Sequence, residues 1–285
     1  MLKNQIFIKP TIHENIFFNN QFLSAENIFL SALSSAALYG KGIFTTLVIY
    51  DSKPFLWKKH WERLTENANK LGIDLTEFSE ESVKNSLSEI ISKNKITNAR
   101  ARITFFDESA SGVWKFETNK KTSLLITTGD LRPNAENFQL TISPFRVNST
   151  SPLVGVKSCN YLENILIFDD AKATGCDEAV RLNERGEIVS ACLANIFWIK
   201  NERIFTPDLE TGCLKGTTRS LIIENFPVEE TKAKLAELNN AETVFLTSSG
   251  LEILKIAEIG KARFTKTSKK LGEIKEFFAD SVHKN

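Results

Sequence analysis

Apolar and polar positions in the first 130 residues predict hairpins and two amphipathic helices. Asn19-Asn20 separates two aromatic runs and supplies turn chemistry, which predicts a β-hairpin. The segment HWERLTENANKLG repeats apolar residues at helical spacing and stops at Gly72, which indicates a helix that ends there. The elements predicted in this half are hairpins around residues 19–20 and 51–53, helices over 60–72 and from 79 onward, and strands at 102–106 and 123–127.

A polar, turn-rich stretch at residues 131–138 separates this half from a second mixture of strands and helices. Strands are predicted there at residues 140–143, 179–182, 196–199, 203–205 and 244–247, and helices at 161–174, 218–225 and 271–278. The pattern therefore predicts a two-domain α+β protein: a small N-terminal domain (1–130), a linker (131–138) and a larger C-terminal domain (139–285). A cleft between two such domains is a favoured place for a ligand.

Composition and charge exclude several classes of protein. The chain has 285 residues, of which 42% are hydrophobic and 25% charged, as in ordinary globular proteins. Its net charge of +1 is too small to attract nucleic acid or an anionic membrane. The start lacks a signal-peptide pattern, and no apolar run approaches the length of a membrane span. Four cysteines without paired spacing and three histidines predict neither disulfides nor a metal site, so a cytoplasmic location is expected.

Lys157 is the first candidate for chemistry. An isolated lysine is usually a solvated surface charge, but Val154, Val156 and Leu162 surround this one in sequence. A lysine desolvated among apolar residues has a lowered pKa, and a neutral amine suits Schiff-base chemistry.

Two hydroxyl-rich turns and one arginine are candidates for anion binding. Gly216, Thr217 and Thr218 open a predicted helix, whose free N–H groups and dipole attract phosphate. Ser249 lies in the turn TSSG after a predicted strand, a composition typical of oxyanion sites. Each of these turns could equally be an ordinary helix cap or loop, and Arg63 could be a surface residue of an amphipathic helix.

Taken in order, these segments resemble the class-IV aminotransferase family, the pyridoxal-phosphate enzymes of fold type IV. The segments that carry the resemblance are GKGIFTT, HWERL, VKSCNYLENIL, GCDEAVRLNERGEIVSACLANIFW, TPDLETGCLKGTTR and AETVFLTSSGLEI. The family includes branched-chain and D-amino acid aminotransferases and aminodeoxychorismate lyase. The resemblance implies a D-amino acid aminotransferase-like fold, pyridoxal 5′-phosphate as cofactor, and a homodimer.

The resemblance also implies roles for individual residues. Lys157 corresponds to the catalytic lysine that binds the cofactor as a Schiff base and moves the proton. The residues that correspond to the phosphate site are Arg63, Thr217, Thr218 and Ser249. Asn195 corresponds to a residue beside the ring, and Tyr161 to one that contacts the phenolic oxygen of the cofactor.

Ser190 departs from the family pattern, which has a glutamate at this position beside the pyridine nitrogen. A serine hydroxyl can donate to an unprotonated nitrogen but supplies no charge to keep a proton there, so the ring should withdraw electrons less strongly. Glu187 lies nearby in sequence, but if this stretch is a strand, its register would direct the Glu187 side chain elsewhere.

Three functions remain open. The leading interpretation is an aminotransferase that acts on an amino acid and a 2-oxo acid; the second is aminodeoxychorismate lyase, which releases pyruvate and 4-aminobenzoate. The third is a cofactor-binding protein with weakened catalysis, with Ser190 as its cause. The segment around Trp114 and Lys115 is a candidate for the substrate side.

Overall fold

A computed structural model describes residues 12–112, 115–116, 121–133 and 136–284. Trp114 and the side chain of Lys115 lie outside the described residues, so their predicted place at the substrate side stays a prediction. No helix within the described ranges is long and apolar enough to cross a membrane.

The first half is built on an antiparallel sheet with strand order β2-β1-β8-β5-β3-β4. The strands of this half are β1 (Asn15–Phe18), β2 (Gln21–Ser24), β3 (Gly42–Tyr50), β4 (Lys53–Pro54), β5 (Ala99–Asp107), β6 (Ser111–Gly112), β7 (Lys115–Phe116) and β8 (Thr122–Gly129). Its helices are α1 (Ser35–Tyr39), α2 (Trp57–Leu71) and α3 (Glu80–Lys93). The side chains of α2 and α3 pack on one face of the sheet in a core that includes Leu64, Leu87 and Ile103.

The turn and cap residues explain where these elements begin and end. Asn19 and Asn20 both have positive φ, as do Asp51 and Ser52, which suits the tight turns of hairpins whose strands twist normally. Gly72 ends α2 with a φ of 63°. Both hairpins and both helices predicted from the sequence are confirmed, although α2 begins three residues before His60 and β4 is shorter than predicted.

The second half contains two five-stranded sheets, ordered β11-β10-β9-β17-β18 and β14-β13-β12-β15-β16. Its strands are β9 (Gln139–Val147), β10 (Glu178–Asn183), β11 (Ile188–Ala191), β12 (Asn195–Lys200), β13 (Arg203–Pro207), β14 (Val228–Thr231), β15 (Thr243–Ser248), β16 (Glu252–Lys255), β17 (Glu258–Ile259) and β18 (Ala262–Arg263). Its helices are α4 (Leu162–Ala173), α5 (Thr217–Asn225), α6 (Leu235–Asn239) and α7 (Lys269–His283).

The two sheets of the second half share one apolar core, to which Val180, Ile188, Trp198 and Leu246 contribute. Strand β12 is buried along almost its whole length, which explains why its residues 196–199 are continuously apolar rather than alternating. Strand β10 is also buried throughout, although it contains Glu178, Arg181 and Asn183. All strands and helices predicted from the sequence are present, several with longer bounds. The predicted domain boundaries and the linker at residues 131–138 stay predictions.

Candidate active site

A cleft of about 570 Å³ opens where β3, β5 and α2 of the first half meet β10, β11 and the start of α5. All the site residues predicted from the sequence line this cleft: Arg63, Lys157, Tyr161, Ser190, Asn195, Thr217, Thr218 and Ser249. Residues separated by up to 186 positions in the chain are therefore brought to one cavity, of the size that commonly holds small ligands and cofactors.

Backbone pairing with β3 holds Lys157 in place. The Lys157 carbonyl accepts a hydrogen bond from Phe44 N at 2.9 Å, and Cys159 N donates to the Gly42 carbonyl at 2.8 Å. A Cβ atom at Gly42 would lie 2.9 Å from Cys159 Sγ and 2.9 Å from the Phe105 carbonyl oxygen. The glycine therefore allows the lysine segment to approach the strand closely, which gives Gly42 a structural role in the segment GKGIFTT.

The Lys157 amine lies among two aromatic rings and two arginines. Its Nζ atom is 4.5 Å from the ring centre of Phe44 and 5.0 Å from that of Tyr161. Burial, followed by the positive charges of Arg63 and Arg102, lowers the pKa of Lys157 to about 7. At neutral pH a large fraction of this amine is therefore unprotonated and able to act as a nucleophile or a base.

Arg63 lies in the part of the cleft that its charge suits to an anion, the anion end. This residue of α2 is buried, and its Nη2 atom donates a hydrogen bond to Thr45 Oγ1 at 2.6 Å. Burial lowers the pKa of Arg63 to about 10, so it stays a cation at neutral pH. Its Nε atom is buried without a hydrogen-bond partner among the described residues, and a buried donor of this kind is costly unless a ligand satisfies it.

His60 links Arg63 to the hydroxyls across the cleft. Burial, followed by the charges of Arg63 and Lys157, lowers the pKa of His60 well below its ordinary value, so the ring is neutral. Because Thr45 Oγ1 accepts from Arg63, its own proton is free for His60 Nδ1, which is 2.6 Å away. His60 Nε2 then carries the ring proton and lies 3.3 Å from Thr217 Oγ1 and 3.5 Å from Ser249 Oγ. Hydroxyls that accept from His60 keep their own protons available for an anion.

The start of α5 completes this end. Gly216 is the N-cap of the helix and gives no side-chain cap, so the first N–H groups of α5 have no such partner. A Cβ atom at Gly216 would overlap Asn195 Oδ1, whose amide nitrogen donates to the Leu214 carbonyl at 2.8 Å. The glycine and Asn195 therefore fix the first turn of α5 beside β12.

Ser190 and Tyr161 belong to the wall formed by β10, β11 and the start of α4. Ser190 is buried in β11, and the ring of Tyr161 packs edge-on against Phe44, with ring centres 5.3 Å apart. Burial raises the pKa of Tyr161 to about 12, so its phenol is protonated. Glu187 is engaged with Asn183 and Arg185 and does not line the cleft, in agreement with its predicted direction.

Several cleft residues escaped the sequence analysis. Arg100 and Arg102 both line the cleft from β5, and Arg132 lines it from the segment after β8. The Arg102 guanidinium lies 3.6 Å from the ring centre of Phe44. The sequence does contain a signal for Arg100 and Arg102, because the run Arg-Ala-Arg-Ile places both arginines on one face of a strand whose other face is apolar. For His60, by contrast, no local pattern distinguishes a buried linker from a helix-surface histidine.

The comparisons with known proteins show which class of enzyme has this fold and this cleft. The family model described as amino-transferase class IV matches residues 42–259, so the chain belongs to the class IV aminotransferase family.

Similar proteins in this family are named for more than one activity. The chain is 28% identical to the aminodeoxychorismate lyase of Bacillus subtilis over 87% of this chain and 88% of that protein. It is 30% identical to a Methanocaldococcus jannaschii protein provisionally named branched-chain-amino-acid aminotransferase, over 93% and 95% of the two chains. The crystal structure of Escherichia coli branched-chain amino acid aminotransferase has the same fold, with a TM-score of 0.87, 23% identity and 94% of each chain covered.

Class IV enzymes use pyridoxal 5′-phosphate, and the residues of this cleft fit that cofactor. Arg63 Nε and Thr247 Oγ1 are buried polar atoms that no described residue satisfies, and the start of α5 offers N–H groups that no side chain caps. Together they are suited to a phosphate group, whereas the Lys157 amine is suited to an aldehyde.

The lowered pKa of Lys157 predicts how cofactor uptake depends on pH. The free amine is the form that reacts with an aldehyde, so the uptake rate should fall about tenfold for each unit below pH 7 and level off above it. A lysine of ordinary pKa, about 10.4, would instead keep gaining rate well above pH 8. Stopped-flow absorbance of the cofactor-free protein mixed with pyridoxal phosphate measures the profile, and a rate still rising tenfold per unit above pH 8 would contradict the assignment.

Proposed function

We propose that this chain is a pyridoxal-phosphate-dependent aminotransferase that acts on an amino acid and a 2-oxo acid. The observation that carries the proposal is the Lys157 amine, with a pKa of about 7, enclosed in the same cleft as Arg63 and the hydroxyls of Thr217 and Ser249. When bound there, the cofactor supplies an aldehyde that condenses with amines and a ring that withdraws electrons from the bonds next to the amine.

The residues of the anion end hold the cofactor in this proposal. Arg63 supplies the positive charge and a fork of donors, whereas Thr217, Thr218 and Ser249 supply hydroxyl and backbone donors at the start of α5 and in the turn after β15. Asn195 stabilises the turn that presents the threonines, and Tyr161 presents a protonated phenol beside Lys157.

Lys157 moves the proton. As a neutral amine it can take the proton from the carbon that bears the substrate amino group and return it elsewhere. Arg102 lies near enough to lower the pKa of Lys157, and with Arg100 it gives the cleft two cations suited to the substrate carboxylate. In a complete cycle the donor amino acid leaves as a 2-oxo acid, and the acceptor 2-oxo acid leaves as an amino acid.

The test is to present the loaded protein with single amino acids and follow the absorbance of the cofactor. Each true donor should bleach the band of the lysine-bound cofactor and release the corresponding 2-oxo acid, and a 2-oxo acid should restore the band. Failure of every amino acid to do so, with cofactor bound, would leave the second and third interpretations, the lyase and a cofactor-binding protein with weakened catalysis.

The similarity to the Bacillus subtilis protein and the presence of Ser190 favour a second candidate, aminodeoxychorismate lyase. That reaction converts one molecule of aminodeoxychorismate into pyruvate and 4-aminobenzoate and needs no 2-oxo acid acceptor. Its substrate bears two carboxylates, for which Arg100, Arg102 and Arg132 along one side of the cleft are suitable partners. Release of pyruvate from aminodeoxychorismate in the absence of any acceptor would favour the lyase.

Ser190→Glu should move the protein towards aminotransfer. A carboxylate at this position favours a protonated ring and therefore stronger electron withdrawal, and one charge-assisted hydrogen bond of about 1.5–3 kcal/mol corresponds to roughly tenfold to hundredfold in rate. We expect the ratio of aminotransfer to elimination to rise by up to that factor, measured with one enzyme preparation and both assays. An unchanged or lower ratio would contradict a role for Ser190 in choosing the reaction.

We also propose a homodimer. Large apolar side chains are exposed on two segments, with Phe29 at 83% and Leu33 at 64% on the first and Leu162 at 64% and Leu166 at 55% on α4. Surfaces of this kind commonly mark protein interfaces. Light scattering should give twice the mass of the chain, and Leu162→Lys with Leu166→Lys should reduce it to the mass of one chain.

A cytoplasmic location is proposed because the four cysteines are free thiols.

A further inference from the structure

Arg181 faces Ser190 across neighbouring strands. The two residues are Cα partners in the antiparallel pair of β10 and β11, and side chains of such partners lie on the same face of a sheet. Both residues line the cleft. The wall that contains the serine therefore also contains a guanidinium, which the sequence analysis did not identify.

The Arg181 side chain is buried but incompletely satisfied. Arg181 is only 8% exposed, and its Nε atom has no hydrogen-bond partner in the part of the chain that the structure describes. Its Nη2 atom donates to Glu163 Oε1 at the rim of the cleft, where the glutamate side chain is 60% exposed. Because solvent screens an exposed carboxylate, Glu163 offsets the buried charge of Arg181 only in part.

The charge of Arg181 also acts on neighbouring titratable groups. Arg181 acts to lower the pKa of the Tyr161 phenol and of the Cys192 thiol, although burial raises both overall. Glu178, on β10, acts on Tyr161 in the opposite direction, and burial raises the pKa of Glu178 itself to about 6. Arg102 adds a second positive charge near Tyr161.

The shape of the cofactor places its ring nitrogen away from Lys157. In pyridoxal phosphate the aldehyde carbon and the ring nitrogen are at opposite ends of the ring. Lys157 is held by β3, whereas Ser190 and Arg181 belong to β11 and β10, and the anion end is formed by Arg63 and the start of α5. With the aldehyde at Lys157 and the phosphate at Arg63, the wall that remains for the nitrogen is the one with Ser190 and Arg181.

We propose that Arg181 and Ser190 together receive the ring-nitrogen end of pyridoxal phosphate, and that the positive charge of Arg181 keeps this nitrogen unprotonated. The Ser190 hydroxyl donates to the neutral nitrogen, and a proton on the nitrogen would face the guanidinium, which is unfavourable. The inference rests on the proposed function, because it assumes that Lys157 holds the cofactor. In this inference Arg181 determines how strongly the cofactor ring withdraws electrons.

The test is nitrogen-15 NMR of the full-length protein loaded with ring-labelled pyridoxal phosphate. The chemical shift of a pyridine nitrogen distinguishes its neutral and protonated forms without any measurement of activity. In the parent protein we expect the neutral form throughout the range from about pH 5 to about pH 8, in which an unperturbed imidazole, another aromatic ring with a basic nitrogen, titrates. Arg181→Leu should raise the pKa of the nitrogen by about one to three units, the usual effect of one neighbouring charge.

Three further variants make the result specific. Arg181→Lys keeps the charge and should keep the nitrogen neutral, and Arg203→Leu, an exposed arginine outside the cleft, should leave its pKa unchanged. Arg181→Gln repeats the test with a polar neutral side chain if leucine prevents folding. In Ser190→Glu the new carboxylate should pair with Arg181, so adding Arg181→Leu to it should raise the pKa of the nitrogen further.

The outcomes separate this inference from the proposed function. A bound cofactor with a protonated nitrogen in the parent protein, or an equal nitrogen pKa in the parent and both neutral variants, would overturn the role of Arg181 alone. If the parent protein fails to bind pyridoxal phosphate, the proposed function falls, and this inference falls with it.

Discussion

Replacing Lys157 with alanine should remove covalent cofactor binding and lower kcat by about 10²- to 10⁴-fold, the contribution typical of a positioned acid–base group. The loss of kcat should exceed that of a substitution at any other position, because the amine is both the attachment point and the proton carrier. Lys157→Arg should be as inactive as Lys157→Ala, since a guanidinium stays protonated at neutral pH and cannot replace a neutral amine.

Borohydride reduction followed by peptide mass spectrometry locates the attachment independently of activity. In the parent protein the reduced cofactor should be found on the peptide that contains Lys157, and in Lys157→Ala it should be found on none. Lys232→Ala, a half-exposed lysine paired with Glu210 outside the cleft, is the matched control and should behave as the parent. Cofactor fixed to a different lysine in the parent protein would contradict the site.

The net charge of +1 conceals the electrostatic character of the cleft. Among the described residues, the cleft is lined by Lys157 and five arginines: Arg63, Arg100, Arg102, Arg132 and Arg181. The acidic residue among these lining residues is Glu163, at the rim. Such a concentration of positive charge in a concave site attracts anions and lowers the pKa of an amine placed among them. The same charges can therefore bind a phosphorylated cofactor, bind a carboxylate substrate and keep Lys157 reactive.

The sequence predicted local features well where a single residue type determines the backbone. Asn19-Asn20 and Gly72 specified a turn and a helix end because few residues adopt positive φ easily. Lys157 stood out because charged residues are rarely surrounded by apolar ones. Strand β11 was considered only as a condition for the direction of Glu187 and was not among the predicted strands, because its four residues are all buried and the alternation that identifies a strand is absent.

Residues that act through contacts distant in sequence could not be predicted in the same way. His60 has its role because Thr45 and Thr217 lie on either side of it, from segments 15 and 157 positions away. Arg181 gains importance only from strand pairing with Ser190. The resemblance to the family identified the residues that match known motifs and marked Ser190 as a departure from them, but it gave no role to Arg181, which matches no motif.

Arg63→Gln should weaken pyridoxal phosphate binding by roughly 10²- to 10⁴-fold, if two charge-assisted hydrogen bonds of about 1.5–3 kcal/mol each are lost. Glutamine fits the space approximately and keeps a polar group near Thr45, so the loss reports mainly on the charge and the donor fork. Arg63→Lys should fall between the two, because lysine restores the charge without the planar geometry. Equilibrium titration of cofactor-free protein measures the dissociation constants, with Lys58→Gln on the exposed side of α2 as control.

The same substitution should change a second, independent quantity. The charge of Arg63 is, after burial, the main cause of the low pKa of Lys157, so Arg63→Gln should move the pH at which cofactor uptake levels off upward from about 7. Arg63→Lys, which retains the charge, should leave that pH nearly where it is while still weakening binding. A variant that lost affinity without moving the pH profile would show that Arg63 contacts the phosphate but does not control the amine. If Arg63→Gln bound the cofactor as tightly as the parent protein, the anion end of the cleft would have to be assigned to other residues.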